Sequence, residues 1–212
     1  DCLFLNVSTP TLHRDAARPV LVWIHGGGLT QDAGRNYDGA NLAADGTVVV
    51  TINYRLGPLG FLAHPALARR PGGPSGNYGL MDQQAALRWV KRNIARFGGD
   101  RGNVTIFGQS AGGQSVHVQL ASPLASGLFQ RAIAQSGAYA DNLQPLSQGE
   151  ANGTNIANTV GCQDQSAACL RSVPVATLLS SQPGGGVPIA PNVDGYVLMQ
   201  SPREAFRTGQ FN

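Results

Sequence analysis

The stretch Val104-Thr105-Ile106-Phe107-Gly108-Gln109-Ser110-Ala111-Gly112-Gly113 constrains this chain more than any other. Val104, Ile106 and Phe107 make the apolar run of a short buried strand, and Val116 and Leu120 continue beyond Gly113 at helical spacing. Strand therefore passes into helix with no residues to spare. Ser110 falls at the tip of that reversal. Gly108-x-Ser110-x-Gly112 is the nucleophile-elbow pattern, and its glycines have a mechanical reason: so sharp a turn brings neighbouring backbone too close for side chains at the flanking positions. The serine oxygen is presented at the carboxyl end of a sheet strand, where open α/β sheets bind ligands. It also sits at a helix N-terminus, where free N–H groups favour developing negative charge. An ordinary glycine-rich turn can carry the same five residues. Placement between a strand and a helix is what favours the functional reading.

The rest of the chain supplies the sheet. Leu3–Val7 alternates as an edge or antiparallel strand does, whereas Val20–Ile24 is a continuous apolar run, as expected of a central strand covered on both faces. That run leads directly into His25-Gly26-Gly27-Gly28. Three glycines in a row can be a flexible linker, but a linker does not normally break out of a core strand. The alternative is a loop whose bare backbone N–H groups approach a reacting atom, the form of an oxyanion loop. Residues 29–46 read as a polar loop with one helical turn near 39–44, and Thr47–Ile52 as a second central strand. Residues 56–78, with Pro58, Pro65, Pro71 and Pro74, read as irregular. Leu80, Leu87, Val90, Ile94 and Phe97 mark a helix with one apolar stripe, stopped at Gly98-Gly99, and Arg88, Lys91, Arg92 and Arg96 form its solvated face. Arg131–Ser136 is a further short strand. Beyond residue 140 the pattern weakens into polar loops and short helices such as Val175–Ser180, a more peripheral region. Strands alternating with helices predict an α/β fold with a mostly parallel sheet, without internal repeat or clear domain boundary.

Composition excludes several functions. The net charge of +3 has no basic run behind it, and Arg69-Arg70 is the only adjacent arginine pair, which argues against nucleic-acid binding. No apolar run approaches the roughly 18 residues of a membrane span. The three cysteines leave one unpaired by count. Cys162 and Cys169 lie close together in a polar segment, and local context favours a bridge between them over three free buried thiols. Cys2 has no evident partner. Asn6, Asn103 and Asn152 each begin a glycosylation pattern, the first two on predicted strands and only Asn152 in a plausible loop. Together with the cysteines this points to secretion. The chain begins without Met and with no charged or apolar leader, so both ends read as cut and the lack of targeting signals carries no weight.

These residues resemble the type-B carboxylesterases, the family of cholinesterases and of fungal and bacterial lipases and esterases. The matching phrases run nearly the whole length: Asp1–Val7, His25–Gly28, Tyr37–Gly39, Asn53–Gly57, Gly60–Ala63, Gly76–Gln83, Phe97–Asp100, the elbow, Gln135–Gly137 and Val193–Gly195. The resemblance implies an α/β-hydrolase fold and ester hydrolysis through an acyl-serine. Ser110 would be the nucleophile and the N–H groups of Gly27, Gly28 and Ala111 the oxyanion hole, with His25 and Gly26 supporting that loop. It also implies that Arg55 and Asp82 pair. No cofactor or metal is implied. The expected partner is a small-molecule or lipid ester, with the acyl and alcohol groups and the oligomeric state left open.

Three departures from the family stand out. Gln109 takes the place of a common Glu beside the nucleophile, and Leu29 that of a common aromatic after the glycines, a change at the acyl pocket. More serious, the catalytic acid and base are missing. The order in this fold is serine, acid, histidine, yet His117 is the only histidine after Ser110. It lies along the same helix, about 10 Å away by rise, and cannot turn back. His13, His25 and His64 precede the serine. Among later carboxylates, Asp141, Glu150, Asp164, Asp194 and Glu204 do not match the family's acid, and Asp194 sits in a structural Asp-Gly turn. Residues 1–212 are thus expected to be an internal, partial hydrolase domain that is inactive alone. The competing reading is a cholinesterase-like adhesion or binding domain without catalysis; the intact Ser110 and glycine loops favour the enzyme.

Overall fold

A computed structural model describes residues 2–68, 73–137, 143–181 and 189–212. Asp1, the Arg69-Arg70 pair, Pro71 and Asp141 lie outside these described residues.

Strands β1 (Leu5–Ser8), β2 (Arg18–Ile24) and β3 (Val48–Ile52) are followed by β4 (Gly99–Gln109) and β5 (Arg131–Gln135). They form one sheet in the order β1-β3-β2-β4-β5. Only β1 runs antiparallel, pairing Leu5 with Ile52 at the β3 edge; the other contacts are parallel. The residues dictate this order. β3 is buried throughout, as a central strand with both faces covered must be, whereas in β2 and β4 one face (Val20, Val22, Ile24, Val104, Ile106) is fully buried and the other (Leu21, Trp23, Phe107) is half-buried. β5 at the other edge exposes Ile133 and most of its length.

Helices cover the two faces. α1 (Ala40–Ala44) precedes β3, α2 (Gly57–Phe61) follows it, and α3 (Tyr78–Asn93) leads to β4. α4 (Ala111–Ala121) connects β4 to β5. Leu80, Leu87 and Val90 bury the predicted stripe of α3, Ile94 extends it into a 3-10 turn (Ile94–Phe97), and Gly98 ends that turn in the left-handed region at φ 76°. The α2 segment is helical where the sequence reads irregular, because Pro58 falls in the first turn, where its missing N–H costs no hydrogen bond. Likewise β4 begins well before Val104: Gly99 pairs with Arg18, and the polar Asp100–Asn103 run belongs to the same strand.

The region beyond 140 holds more regular structure than its sequence suggests. β6 (Gln144–Pro145) and β7 (Asn192–Val193) form a small parallel pair. Between them lie α5 (Leu146–Thr159), α6 (Ala167–Ser172) and α7 (Val175–Ser180), and α8 (Pro202–Thr208) follows. α5 carries Gly149 and Gly153, which lowers its helix propensity. They share one face of the helix, and that face lies against Ala63: a β-carbon on Gly153 would stand 1.8 Å from the Ala63 carbonyl oxygen. Close packing, not intrinsic preference, makes this helix. Asn152 consequently sits on a helix, not in a loop, and its amide donates to Gln144 Oε1 at 3.3 Å. Cys162 and Cys169 are joined in a disulfide closing the α5–α6 connection, and Cys2 is free and exposed. Arg55 and Asp82 pair, Nε to Oδ2 at 2.7 Å and Nη2 to Oδ1 at 2.9 Å, tying the end of β3 to α3.

Candidate active site

Register brings three parallel strands to one level. Ile24 pairs with Gly108, and Gly108 and Gln109 pair with Ala134 and Gln135, so the segments that follow β2, β4 and β5 leave the sheet side by side. They are the glycine loop His25–Gly28, the elbow at Ser110, and Ser136-Gly137.

At the elbow, Ser110 has φ 56° and ψ −125°, a conformation that a non-glycine residue adopts only when its surroundings enforce it. Its N–H donates to Gln135 O at 2.9 Å, and its carbonyl accepts from Gln114 N at 2.9 Å. Those two bonds hold it from both sides. The crossing is so tight that a β-carbon on Gly112 would stand 2.0 Å from Ile24 O and 2.8 Å from His25 O. The elbow glycine thus permits the first turn of α4 to lie directly on the end of β2.

The glycine loop presses on the same turn. A β-carbon on Gly26 would meet Gln109 O at 2.8 Å and the Ser110 β-carbon at 3.3 Å. Gly27 and Gly28 have φ 87° and 63°, and the Gly27 carbonyl accepts from Thr30 N and Gln31 N. Among the described residues, no loop or turn hydrogen bond uses the N–H of Gly27, Gly28 or Ala111. Ala111 opens α4, where an N–H has no partner within the helix. Three backbone donors therefore belong to the two segments that meet at Ser110.

His25 holds the loop from below. Its ring is buried and stacked on Tyr54, centroids 4.4 Å apart, and the Tyr54 hydroxyl donates to His25 O at 2.8 Å. Nδ1 lies 3.0 Å from Gly26 O. A carbonyl only accepts, so Nδ1 carries the proton. In a trans peptide the C=O and N–H point in opposite directions, so fixing Gly26 O also aims the Gly27 N–H. Burial holds the His25 pKa below its usual value, against the opposing pull of the Gly26 hydrogen bond and of Asp32. The ring is neutral.

Asp32, not singled out from sequence, organises the rest of this loop. It accepts from Tyr37 Oη at 2.6 Å, Ala33 N at 2.7 Å and Asn36 Nδ2 at 2.8 Å. Burial acts to raise its pKa, but these donors outweigh it and the net shift is downward. The Asp32 hydrogen bond, with burial adding to it, pushes Tyr37 up to about 12. Tyr37 also packs on Trp23 of β2. The only signal in the sequence was the Tyr37-Asp38-Gly39 phrase, which says nothing about position 32.

The remaining titratable residues are engaged elsewhere. His64 accepts from Ala66 N at Nδ1 and contacts Gln165 through Nε2, and His117 packs edge-on against Phe206 of α8. His13 is exposed. Asp194 Oδ1 accepts from the N–H groups of Tyr196, Val197 and Leu198, and Glu204 pairs with Arg207. Gln109 is exposed next to the elbow, and Leu29, at φ 62°, is buried in the main core. Leu29 thus packs inward. A groove of about 550 Å³ between α2, α3 and α6–α7 is lined by Arg55, Met81, Leu170 and Tyr196, not by Ser110 or the glycine loop.

The sequence pattern described as "Carboxylesterase family" matches residues 1–212. Fumonisin B1 esterase of Sphingopyxis macrogoltabida is 44% identical over 216 residues, a span covering 100% of this chain and 40% of that protein. Liver carboxylesterase 1 of Mus musculus is 43% identical over 238 residues, again 100% of this chain and 40% of the relative. Among solved structures, carboxylesterase EST55 of Geobacillus stearothermophilus superposes with a TM-score of 0.91 at 44% identity, covering 98% of this chain and 46% of that one. The chain thus spans about two-fifths of the length of the curated relatives it matches.

Proposed function

This chain belongs to the carboxylesterase family, and from that premise we propose that it carries the nucleophile half of a serine ester hydrolase. Ser110 Oγ attacks the ester carbonyl, the alcohol leaves as the acyl-serine forms, and water then releases the carboxylic acid. The N–H groups of Gly27, Gly28 and Ala111 receive the oxyanion, each such donor lowering the barrier by about 3–4 kcal/mol. His25 aims the Gly27 donor through Gly26, and Gln109 flanks the nucleophile without adding a charge. The observation that carries this reading is the enforced backbone of Ser110, φ 56°, directly against Gly26 of the glycine loop. Strain of this kind persists only where the surroundings enforce it and clusters at active sites, ligand clamps and switches; the side chain it presents here is a hydroxyl set against the glycine loop.

The base and the acid that orients it belong to the part of the whole protein that the relatives have and this chain does not span. Residues 1–212 are then a partial α/β-hydrolase domain, and Ser110 within them stays a neutral, weakly nucleophilic hydroxyl. The substrate class is a small-molecule or lipid carboxylic ester; no cofactor enters. The Cys162–Cys169 disulfide supports an oxidising, extracellular setting. Among the described residues no helix is long and apolar enough to cross a membrane.

The test is made in the whole protein with a p-nitrophenyl ester. Ser110→Ala lowers kcat by at least about three orders of magnitude, as removal of a nucleophile does; near wild-type turnover overturns the assignment. Residues 1–212 alone do not label rapidly with a fluorophosphonate, and stoichiometric labelling of the soluble monomer would show that a base is present within them.

A further inference from the structure

The interface between α3 and α4 is polar where a helix interface is ordinarily apolar. Gln83, Gln84, Ser115, Gln119 and Ser122 are all buried. Gln84 Nε2 donates to Gln119 Oε1 at 3.1 Å and to Ser122 Oγ at 3.0 Å, and Ser122 Oγ donates to Val197 O. Gln119 Nε2 donates to Gln83 Oε1 at 2.9 Å and to Leu80 O at 3.3 Å. Gln83 Nε2 donates to Ser115 Oγ at 3.0 Å, and Ser115 Oγ donates to Ala111 O at 2.9 Å. The sequence of bonds is directed. It begins at Gln84 of α3, beside the C-terminal end of α4, and ends on the first residue after Ser110.

That end point is where α4 needs support. Its first turn contains Gly112 and Gly113, each placed against backbone: a β-carbon would stand 2.0 Å from Ile24 O at the first and 2.6 Å from Gln135 O at the second. Two successive glycines give the turn more conformational freedom than other residues would. A serine hydroxyl bonded back to the carbonyl four residues earlier normally competes with the helix and bends it. Here the same hydroxyl is gripped by a side chain from α3, which converts a local bond into a tether.

We infer that Gln83 and Ser115 are positioning residues for the nucleophile, holding the Ala111 carbonyl and with it the glycine-rich first turn that carries Ser110 and the Ala111 N–H. Gln84 and Ser122, at the other end of the same network, hold α3 and α4 together without reaching the elbow. The inference rests on the esterase reading above. It predicts that loss of the tether lowers turnover without weakening substrate binding.

The experiment uses the whole protein and compares three variants by kcat, KM and Tm on a p-nitrophenyl ester, with Ser110→Ala as reference. Gln83→Leu/Ser115→Ala removes both partners of the tether but strands one Gln119 Nε2–H, whose other bond to Leu80 O remains, so it lowers Tm and kcat is compared at a temperature at which every variant is folded. Its kcat falls about tenfold with KM within twofold, and Ser115→Ala alone, the milder change, lowers kcat in the same sense. Gln84→Met lowers Tm and leaves kcat within twofold. A folded Gln83→Leu/Ser115→Ala or Ser115→Ala protein with wild-type kcat overturns the inference, as does a Gln84→Met protein whose kcat falls equally. Failure of the esterase reading looks different: the unaltered protein is then inactive, or Ser110→Ala retains activity, and the positioning role falls with it.

Discussion

Replacing Arg55 by Ala tests how firmly the sheet is tied to the helix that covers it. Asp82 accepts three hydrogen bonds from one residue: Arg55 Nε at 2.7 Å, Nη2 at 2.9 Å and the backbone N–H at 3.0 Å. The carboxylate is 9% exposed and the guanidinium side chain 38%. That asymmetry decides the magnitude. Breaking a fully buried pair costs about 3–5 kcal/mol, and an exposed pair is worth about 0–1. In Arg55→Ala the carboxylate keeps its backbone donor and water can reach the vacated space. Two charge-assisted bonds at about 1.5–3 kcal/mol each, discounted for an arginine more than one-third exposed, leave a loss of about 2–3 kcal/mol. Asp82→Ala also strands the Arg55 N–H and costs about 1 kcal/mol more. In the whole protein the Arg55→Ala loss appears as a lower Tm. Urea unfolding followed by tryptophan fluorescence, with thermal scans alongside, measures both variants. A folded Arg55→Ala protein within half a kcal/mol of wild type would refute the reasoning, since the pair would then be an ordinary surface contact.

Two further perturbations probe the elbow and its supporting histidine. In Gly112→Ala the new β-carbon meets Ile24 O at 2.0 Å. The roughly 1 kcal/mol gained in helix propensity is outweighed by an overpacking cost of about 1–3 kcal/mol or more; Tm and esterase turnover of the whole protein both fall, and an unchanged Tm would show that β2 yields freely. Burial holds the His25 pKa below its usual 6.5, so the folded state holds it neutral while the unfolded chain takes up a proton as pH falls through that value. Its contribution is complete above about pH 6.5 and is lost as pH falls below it, by up to about 1.4 kcal/mol per pH unit. Urea midpoints measured from pH 7.5 to 5 accordingly show a shallower acid-side decline in His25→Asn than in wild type, and parallel declines would remove His25 from the acid response.

Much of the fold was legible because the sheet writes itself as uninterrupted apolar runs. Val48–Ile52 is buried throughout and Val20–Ile24 is buried or half-buried at every position, so polar alternation does not disguise them, and each stops where its backbone must turn. The elbow was legible for a different reason: Gly112 lies so close to β2 that no other residue fits, and geometry therefore appears directly as composition. The same logic misleads in α5. There Gly149 and Gly153 also mark a close approach, against Ala63, but glycine in a polar segment reads equally well as a loop. A glycine announces that something is near. It does not say whether the chain on which it sits is helical.

Polar residues are the harder case, and they are where most of the unread part of the site lies. Gln83, Gln84 and Gln119 have the types and spacings of a solvated helix face, yet each is buried. Burial of an amide is tolerable only when its donors and acceptors are met by partners. The partners of Gln83 are Ser115 and Gln119, on a helix that follows a whole intervening strand, and no local window contains both. Asp32 fails the same way in miniature: three donors converge on it from residues 33, 36 and 37, through a loop path that residue types alone do not define. What a sequence states openly is steric necessity and apolar continuity. What it withholds is polar complementarity, because a hydrogen bond is a property of two positions and becomes visible only when the fold has brought them together. In this chain the residues proposed to face the reacting atom are of the first kind, and those that hold them in place are of the second.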